Sequence, residues 1–579
     1  MLMNSPAKLL NYCSTIFTKR ENLRLVFLSL LSFFSALMEI LTIGGLVPFI
    51  NIFVQGEAGL NGRFLKVLYS LSAFFGSMNI VMFIGFFLIV ISLLKIALNL
   101  FLVYSQAHLA TSIQSRLSAV LLRNYALNNY LFHVNTNSSV LVKNITVETT
   151  NIYFFVGSLI KLIMNVVMAF AMLVFLLYIN YKITLGIAVF FTVVMIFSVK
   201  VVSGRAKRLG YEREEIVKST HKLAYQVLRG IKEIKISKVE DYFIERFSVV
   251  VNRLVPVGAS FVTLSSSPKF LLEIVVYAGG IGMLMLVSHF WGADKAFLGL
   301  FVAFLAAIYK LAPAFSAIST AAIEIRYAIP SLEIMSSAIR EALKRPEAST
   351  LKKIAGAESV RLVGTGLSYG GSEILKDVNL DILKGEKIAV IGKTGSGKST
   401  LNNLLTGLLT PTAGKVLLNG IDLAEADPYS LARIIGYLPQ DVTILDDTII
   451  ANITFGLPVA PEDRARIPEI LKIVHLERFV DTLDHRTGED GAMLSGGERQ
   501  RLAIARLLYK NPEIVVLDEI TSALDFKTEK AIVDDILRIF ADKTVVMVTH
   551  SMRLIEKFDR VYSIENKTLH LVDKKDHAG

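Results

Sequence analysis

The sequence predicts two architectures in one chain: an α-helical part of six long membrane spans with helical extensions, followed by an α/β part. Three observations carry this. Hydrophobic residues are 53% of the 579 and charged residues only 19%, too apolar on average for an ordinary soluble chain. The long apolar runs all lie before position 330. The remainder alternates short apolar strands with helical patterns and carries a glycine-rich loop directly after one strand. The boundaries read as a membrane part at 1–340, a linker at 341–355 marked by Pro346 and Ser349, and an α/β part at 356–579.

Six runs, at 25–53, 80–104, 154–179, 183–202, 270–290 and 296–318, approach the ~20 residues needed to cross the ~30 Å hydrocarbon layer. An even number of spans puts both termini on one side. The connection 203–265 carries Arg205, Lys207, Arg208, Arg229, Lys232 and Lys235, which places it inside by the positive-inside rule. The opposite turns, at 180–182 and 291–295, are short, and Trp291 stands at a span end where an amphipathic ring favours the interface.

Both inside connections, 105–153 and 203–265, are helix-compatible and read as cytosolic continuations of the spans. Turn formers at 135–139 and Gly230 interrupt them, and a broken hairpin of this kind suits contact with the α/β part. Asn137 and Asn144 fit the N-glycosylation pattern, but a cytosolic position argues against modification. Between the first two spans, 61–74 is amphipathic, with Phe64, Leu65, Leu68 and Leu71 on one face; a loop helix packed on the spans is expected, or else a surface helix touching lipid or substrate.

The net charge of +11 is read as membrane topology, so no nucleic-acid partner is expected. Cys13 is the only cysteine, which excludes an intrachain disulfide and a thiolate zinc cluster. No cleavable leader is expected, since the first apolar run exceeds the ~7–15 residues of a signal core.

In the α/β part, 387–391 reads as a buried strand, followed at once by Gly392, Lys393, Thr394, Gly395, Ser396, Gly397, Lys398, Ser399 and Thr400. This is a complete P-loop: its glycines let backbone N–H groups crowd a phosphate, and the helix expected over 401–408 favours anions at its start. Lys398 is expected to reach the β/γ-phosphates and Ser399 a Mg²⁺ ion. Downstream, the apolar strand 514–517 ends in Asp518 and Glu519. Asp518 is placed to hold the Mg²⁺ shell and Glu519 to polarise an attacking water.

Leu494, Ser495, Gly496, Gly497, Glu498, Arg499 and Gln500 together resemble the signature motif of ATP-binding-cassette proteins. The resemblance implies ATP and Mg²⁺ as cofactors. It also implies that Ser495, Gly496, Gly497 and Glu498, opening a helix that runs to about Tyr509, meet the γ-phosphate held by a partner chain. Tyr369 matches the aromatic that stacks on adenine. Gln440, in the run from Tyr437, matches the residue that reaches Mg²⁺ and the attacking water. Ser522 and Asp525 match the loop that links the two sites of a dimer, and His550 matches the switch histidine. The segment 487–491 is similar to the one exporters use to touch the membrane part, in a different residue order. Since one chain's signature faces the other chain's nucleotide, the resemblance implies a dimer, most economically of two copies.

Six spans fused ahead of the ATPase resemble the exporter type of the family, implying an integral protein of a bacterial inner membrane with both termini and the ATPase cytoplasmic. Importers of the family keep these parts on separate chains, and the N-terminus is short for the peptidase domain of many peptide exporters. The intramembrane charges are Lys95, Lys161, Lys269, Lys310, Glu39 and Glu273. They pair with one another, as Lys269 and Glu273 are spaced to do, snorkel to the interface, or line a cavity for an anionic head group. The runs 36–50, 267–273 and 310–313 resemble the bacterial flippase of lipid-linked oligosaccharides, with Lys95, Lys269 and Lys310 where that family holds a pyrophosphate. The expected function is therefore ATP-driven outward movement of a lipid-linked or other lipid-like substrate. Export of drugs, amphipathic compounds or peptides, and a gating role without transport, are the alternatives.

Overall fold

The computed structural model describes residues 6–55, 80–179, 181–290, 295–342, 351–459, 461–520, 526–550 and 552–573. The expected helix at 61–74, Trp291, Ser522 and Asp525 lie outside them. The chain divides into two compact units, one of residues 1–128 and 133–345 and the other of 346–579 with 129–132.

The first unit is helical throughout its described residues. Six long helices cover the six predicted runs: α1 (Lys19–Gln55), α2 (Ile80–Ala126), α3 (Thr149–Ile179), α4 (Tyr181–Arg229), α5 (Leu254–Phe290) and α6 (Lys295–Tyr327). Among the described residues, four stretches are long and apolar enough to cross a membrane: Lys19–Thr42, Met82–Ala126, Ser138–Leu177 and Glu240–Ala278. The other two runs fall in α4 and α6, where part of the side chains lies outside the described set. At 1.5 Å per residue, the 47 and 49 residues of α2 and α4 are about twice what a bilayer core needs, so both continue beyond it as the sequence predicts.

The predicted interruptions are real. Asn137 caps the short helix Ser138–Lys143 by accepting from the Ser139 N–H, and Gly230 separates α4 from Ile231–Ser237. Inside α5, Pro268 cannot donate to the Leu264 carbonyl; the Ser267 hydroxyl donates to it instead, at 2.8 Å. Gly210 on α4 admits the end of α6, since a Cβ there would stand 2.3 Å from the Tyr327 carbonyl oxygen.

Charge is buried where α4 meets the stretch after Ser138. Lys143 is 1% exposed and pairs with Glu148 at 3.1 Å and with Glu214 of α4. Glu148 closes a π-helical turn, Asn144–Glu148. Burial, and then the Glu148 carboxyl beside it, hold the Glu214 pKa above the usual carboxylate range. This stretch therefore packs around ions rather than lipid, and the membrane-spanning part of α3 begins beyond it.

The second unit contains two sheets. An antiparallel one runs β2–β1–β4–β5, from β1 (Ser359–Tyr369), β2 (Ser372–Leu383), β4 (Ala413–Leu418) and β5 (Ile421–Asp422). The other runs β10–β9–β3–β8–β7–β6, from β3 (Lys387–Gly392), β6 (Ile435–Leu438), β7 (Ile514–Asp518), β8 (Thr544–Val548), β9 (Arg560–Glu565) and β10 (Thr568–Leu571). β3, β6, β7, β8 and β9 are parallel, and β7 and β8 are buried at every position, as a sheet covered on both faces requires. A helical layer supplies Ile467, Ile470, Leu471, Phe479 and Leu502 to the same core.

Candidate functional site

The order β3–β8–β7–β6 fixes the site's layout, because the C-terminal ends of adjacent parallel strands lie side by side. The P-loop leaves β3, His550 follows β8, Asp518 and Glu519 end β7, and Gln440 follows β6. Residues separated by up to 158 positions thus meet at one edge.

The P-loop is glycine-dependent in its geometry. Gly392, Gly395 and Gly397 have φ of +155°, +80° and +106°. A Cβ on Gly392 would stand 2.7 Å from Ser396 Oγ, and one on Gly397 2.9 Å from Leu375 of β2. Helix α7 (Lys398–Leu405) starts three residues before the predicted 401 because the left-handed Gly397 ends the loop, and it stops early because Gly407 turns with φ +73°. Lys393, Thr394 and Gly395 are exposed, whereas Ser396 Oγ is buried without a hydrogen-bond partner. An orphaned hydroxyl in a loop of left-handed glycines fits a phosphate oxygen. Thr400 lies in the first turn of α7.

Lys398 is 4% exposed and donates to the Gly392 and Lys393 carbonyls at 3.0 and 3.1 Å. Its ammonium lies 3.2 Å from Glu519 Oε1 and 3.3 Å from His550 Nε2, and His550 Nε2 is 2.8 Å from the same Glu519 oxygen. Glu519 has φ +44°, uncommon outside glycine, and its N–H donates to the Val548 carbonyl. That turn aims its carboxylate across β8 at the P-loop. Gln440 Nε2 approaches Glu519 Oε2 at 3.5 Å.

Asp518 accepts from Ser399 Oγ at 3.4 Å and from Tyr437 OH at 3.2 Å. Burial dominates and lifts its pKa above the ordinary value, against the lowering effect of those two hydroxyls. Ser399 and Asp518 form an oxygen pair suited to a hard divalent cation. Tyr437 is the contact that sequence reasoning missed, because it requires β6 and β7 to be neighbours.

Tyr369 ends β1, partly buried. Its strand pairs Leu367 with Leu375, the residue against Gly397, so Tyr369 stands on the hairpin beside the loop.

The signature residues open a helix, as the sequence predicts. Helix α8 (Gly496–Lys510) opens on Ser495, which forms a capping box with Glu498. Among the described residues no hydrogen bond or ion pair links Ser495, Gly496 or Gly497 to the P-loop.

In the membrane unit, Lys95 Nζ is bound to Glu39 at 2.7 Å. Lys269 and Glu273 stand 3.9 Å apart with side chains 66% and 47% exposed. The structure therefore brings Lys95 to a carboxylate rather than leaving it open. Lys310 belongs to α6, but its side chain lies outside the described residues.

Residues 375–522 match the ABC transporter domain family. The chain is similar to the ATP-dependent lipid A-core flippase of Ralstonia nicotianae, 28% identical over 444 residues, covering 75% of this chain and 74% of that one. It is 30% identical over 402 residues to the protein of the same name from Chromohalobacter salexigens, covering 68% of each. This chain belongs to the ATP-binding-cassette transporter family. A bacterial Atm1-family ABC exporter, solved with ATP bound, superposes with a TM-score of 0.76 over 96% of both chains at 20% identity, so the ABC transporter has the exporter fold. It is an integral membrane protein that couples ATP hydrolysis to transport.

Proposed function

We propose that this ABC transporter moves an anionic, lipid-linked substrate out of the cytoplasmic leaflet of a bacterial inner membrane. It works as a homodimer, with both termini and the α/β unit in the cytoplasm. The observation that carries the substrate reading is Lys269: its side chain is two-thirds exposed on an apolar helix of 37 residues. A charge at membrane depth is costly, and Glu273 at 3.9 Å leaves most of the Lys269 side chain open to an anionic ligand. The curated relatives named lipid A-core flippases support a lipid-like cargo. Lys95, held by Glu39, contributes only if the substrate displaces that carboxylate.

The P-loop amides and Lys398 bind the β- and γ-phosphates, and Tyr369 stacks on the base. Ser399, Asp518 and Gln440 would hold Mg²⁺, and the ion would supply neutralisation of charge on the phosphate oxygens. Phosphate on Lys398 draws the ammonium from Glu519, freeing that carboxylate to take a proton from the attacking water. The water oxygen bonds to the γ-phosphorus as the bond to the β–γ bridging oxygen breaks, and ADP leaves. His550, already at Glu519, orients the carboxylate and contacts the γ-phosphate. The helix start at Ser495, Gly496, Gly497 and Glu498 of a second copy completes the site, its N–H groups facing the γ-phosphate. Ser522 and Asp525 carry the communication between the two sites.

The test is transport in proteoliposomes with three probes: a polyprenyl-pyrophosphate oligosaccharide, lipid A-core and a neutral amphiphile. The two anionic lipids are expected to stimulate hydrolysis and to cross, and Lys269→Ala to abolish the crossing while basal hydrolysis persists. Equal handling of the neutral probe, or an unchanged Lys269→Ala, overturns the substrate reading.

A further inference from the structure

The N-terminus of α8, which the proposed function assigns to a partner chain's γ-phosphate, already carries an anion of its own. Glu498 Oε2 accepts from the Ser495 N–H and from the Ser495 hydroxyl, both at 2.8 Å. Ser495 Oγ in turn accepts from the Glu498 N–H at 3.3 Å. A serine hydroxyl has one proton to donate, and here it goes to Glu498. A nucleotide phosphate that takes this hydroxyl exchanges with the carboxylate, and it does so beside a full negative charge.

That charge is not left alone. Arg478 Nη2 stands 2.7 Å from Glu498 Oε1. The guanidinium comes from the Glu477–Phe479 turn and lies 4.4 Å from the Phe479 ring centroid, which gives it a fixed platform, since Phe479 is buried. Arg501, one turn into α8, adds a second positive charge. Burial works to raise the Glu498 pKa, yet the Ser495 hydrogen bonds and the two arginines together hold it below the ordinary value. Glu498 is thus ionised at neutral pH and neutralised mainly from one side. Arg478 is 57% exposed and reaches Glu498 from outside the helix, whereas the Glu498 side chain is 13% exposed.

We propose that Arg478 is a positioning residue that sets the ATP affinity of the dimeric site by holding Glu498, the built-in competitor for the Ser495 hydroxyl. The inference rests on the nucleotide-site reading above. With Arg478 present, the carboxylate is screened by a positive charge on its Oε1 as phosphate arrives. Without it, a less screened carboxylate faces the polyphosphate, and the single Ser495 hydroxyl proton can serve only one of them.

The test is steady-state ATP hydrolysis by the full chain in detergent or nanodiscs, at low and high salt. Arg478→Ala is expected to raise KM for ATP about fivefold at low salt, with kcat moving far less, and high salt to shrink the difference. Arg478→Lys is expected to recover most of the affinity, and Glu498→Gln to lower KM by about the same factor. In the double variant Arg478→Ala with Glu498→Gln, the arginine effect is expected to vanish, since its partner charge is gone. A loss confined to kcat with a lowered Tm assigns Arg478 a merely structural role and overturns the inference. So does an Arg478→Ala effect that survives in the Glu498→Gln background. Lys398→Ala separates the two readings. If it hydrolyses ATP normally, the nucleotide site itself is wrong; if it is inactive while Arg478→Ala leaves KM unmoved, only this inference fails.

Discussion

The two units each set a largely buried lysine against a glutamate, Lys398 against Glu519 and Lys95 against Glu39, and the surroundings separate their purposes. Lys398 sits among loop carbonyls with His550 on the same carboxylate, beside the orphaned Ser396 hydroxyl. Its partners can all be exchanged for phosphate oxygens. Lys95 meets Glu39 between α1 and α2, with a Ser35–Asn99 hydrogen bond nearby, and its charge is matched inside the unit. One pair is a poised site and the other a strut. The difference lies in whether polar atoms remain unsatisfied around the ions, a matter of packing rather than residue type.

Glu519→Gln attacks the poised pair most directly. It is expected to lower phosphate release by on the order of 10²–10⁴-fold while nucleotide still binds, and normal turnover would remove Glu519 from the role of base. Lys143→Met tests the most deeply buried strut. Two carboxyls then share an enclosed site with no cation, at a cost of about 3–5 kcal/mol, readable as a lower Tm of the purified protein. Lys95→Ala removes the cation held on Glu39 at membrane depth, at a cost of up to about 2.5–3.5 kcal/mol, and adding Glu39→Ala should recover part of that loss. A double variant as unstable as the single one would make Lys95 a site residue instead.

The pH dependence distinguishes the struts further. Glu214 holds its proton in the fold at pH values where the unfolded chain has lost it. Its contribution is therefore full below about pH 4.3 and is lost as pH rises through its raised folded value. Glu214→Gln is expected to flatten that part of the Tm–pH curve. The smallest effect belongs to Lys269 and Glu273: exposed and 3.9 Å apart, they should couple by no more than about 1 kcal/mol in a double-mutant cycle, whatever happens to transport.

Much of the candidate site was legible because it is written contiguously. The P-loop runs from Gly392 to Thr400 without a gap, the capping box of Ser495 and Glu498 has a fixed spacing of three, and Asp518 closes an apolar strand. Lys269 and Glu273, four apart, were legible for the same reason. Arg478 lies 20 residues from Glu498, Tyr437 81 from Asp518, and Lys95 56 from Glu39, and no local pattern announces such pairs. The expected helix edges at 401 and 408 missed because the left-handed turns of Gly397 and Gly407, not the apolar run, delimit α7.

By itself the sequence determined the two architectures, the membrane runs, the phosphate loop and the family, since each depends on residues close together in the chain or on composition. Only the tertiary structure decided the strand order that gathers Lys398, His550, Glu519 and Gln440 at one edge. It also decided which lysines are spent on carboxylates and which stand exposed. Ion pairing in a low-dielectric interior is governed by which distant side chains packing brings within a few ångströms, and that geometry is a property of the whole fold.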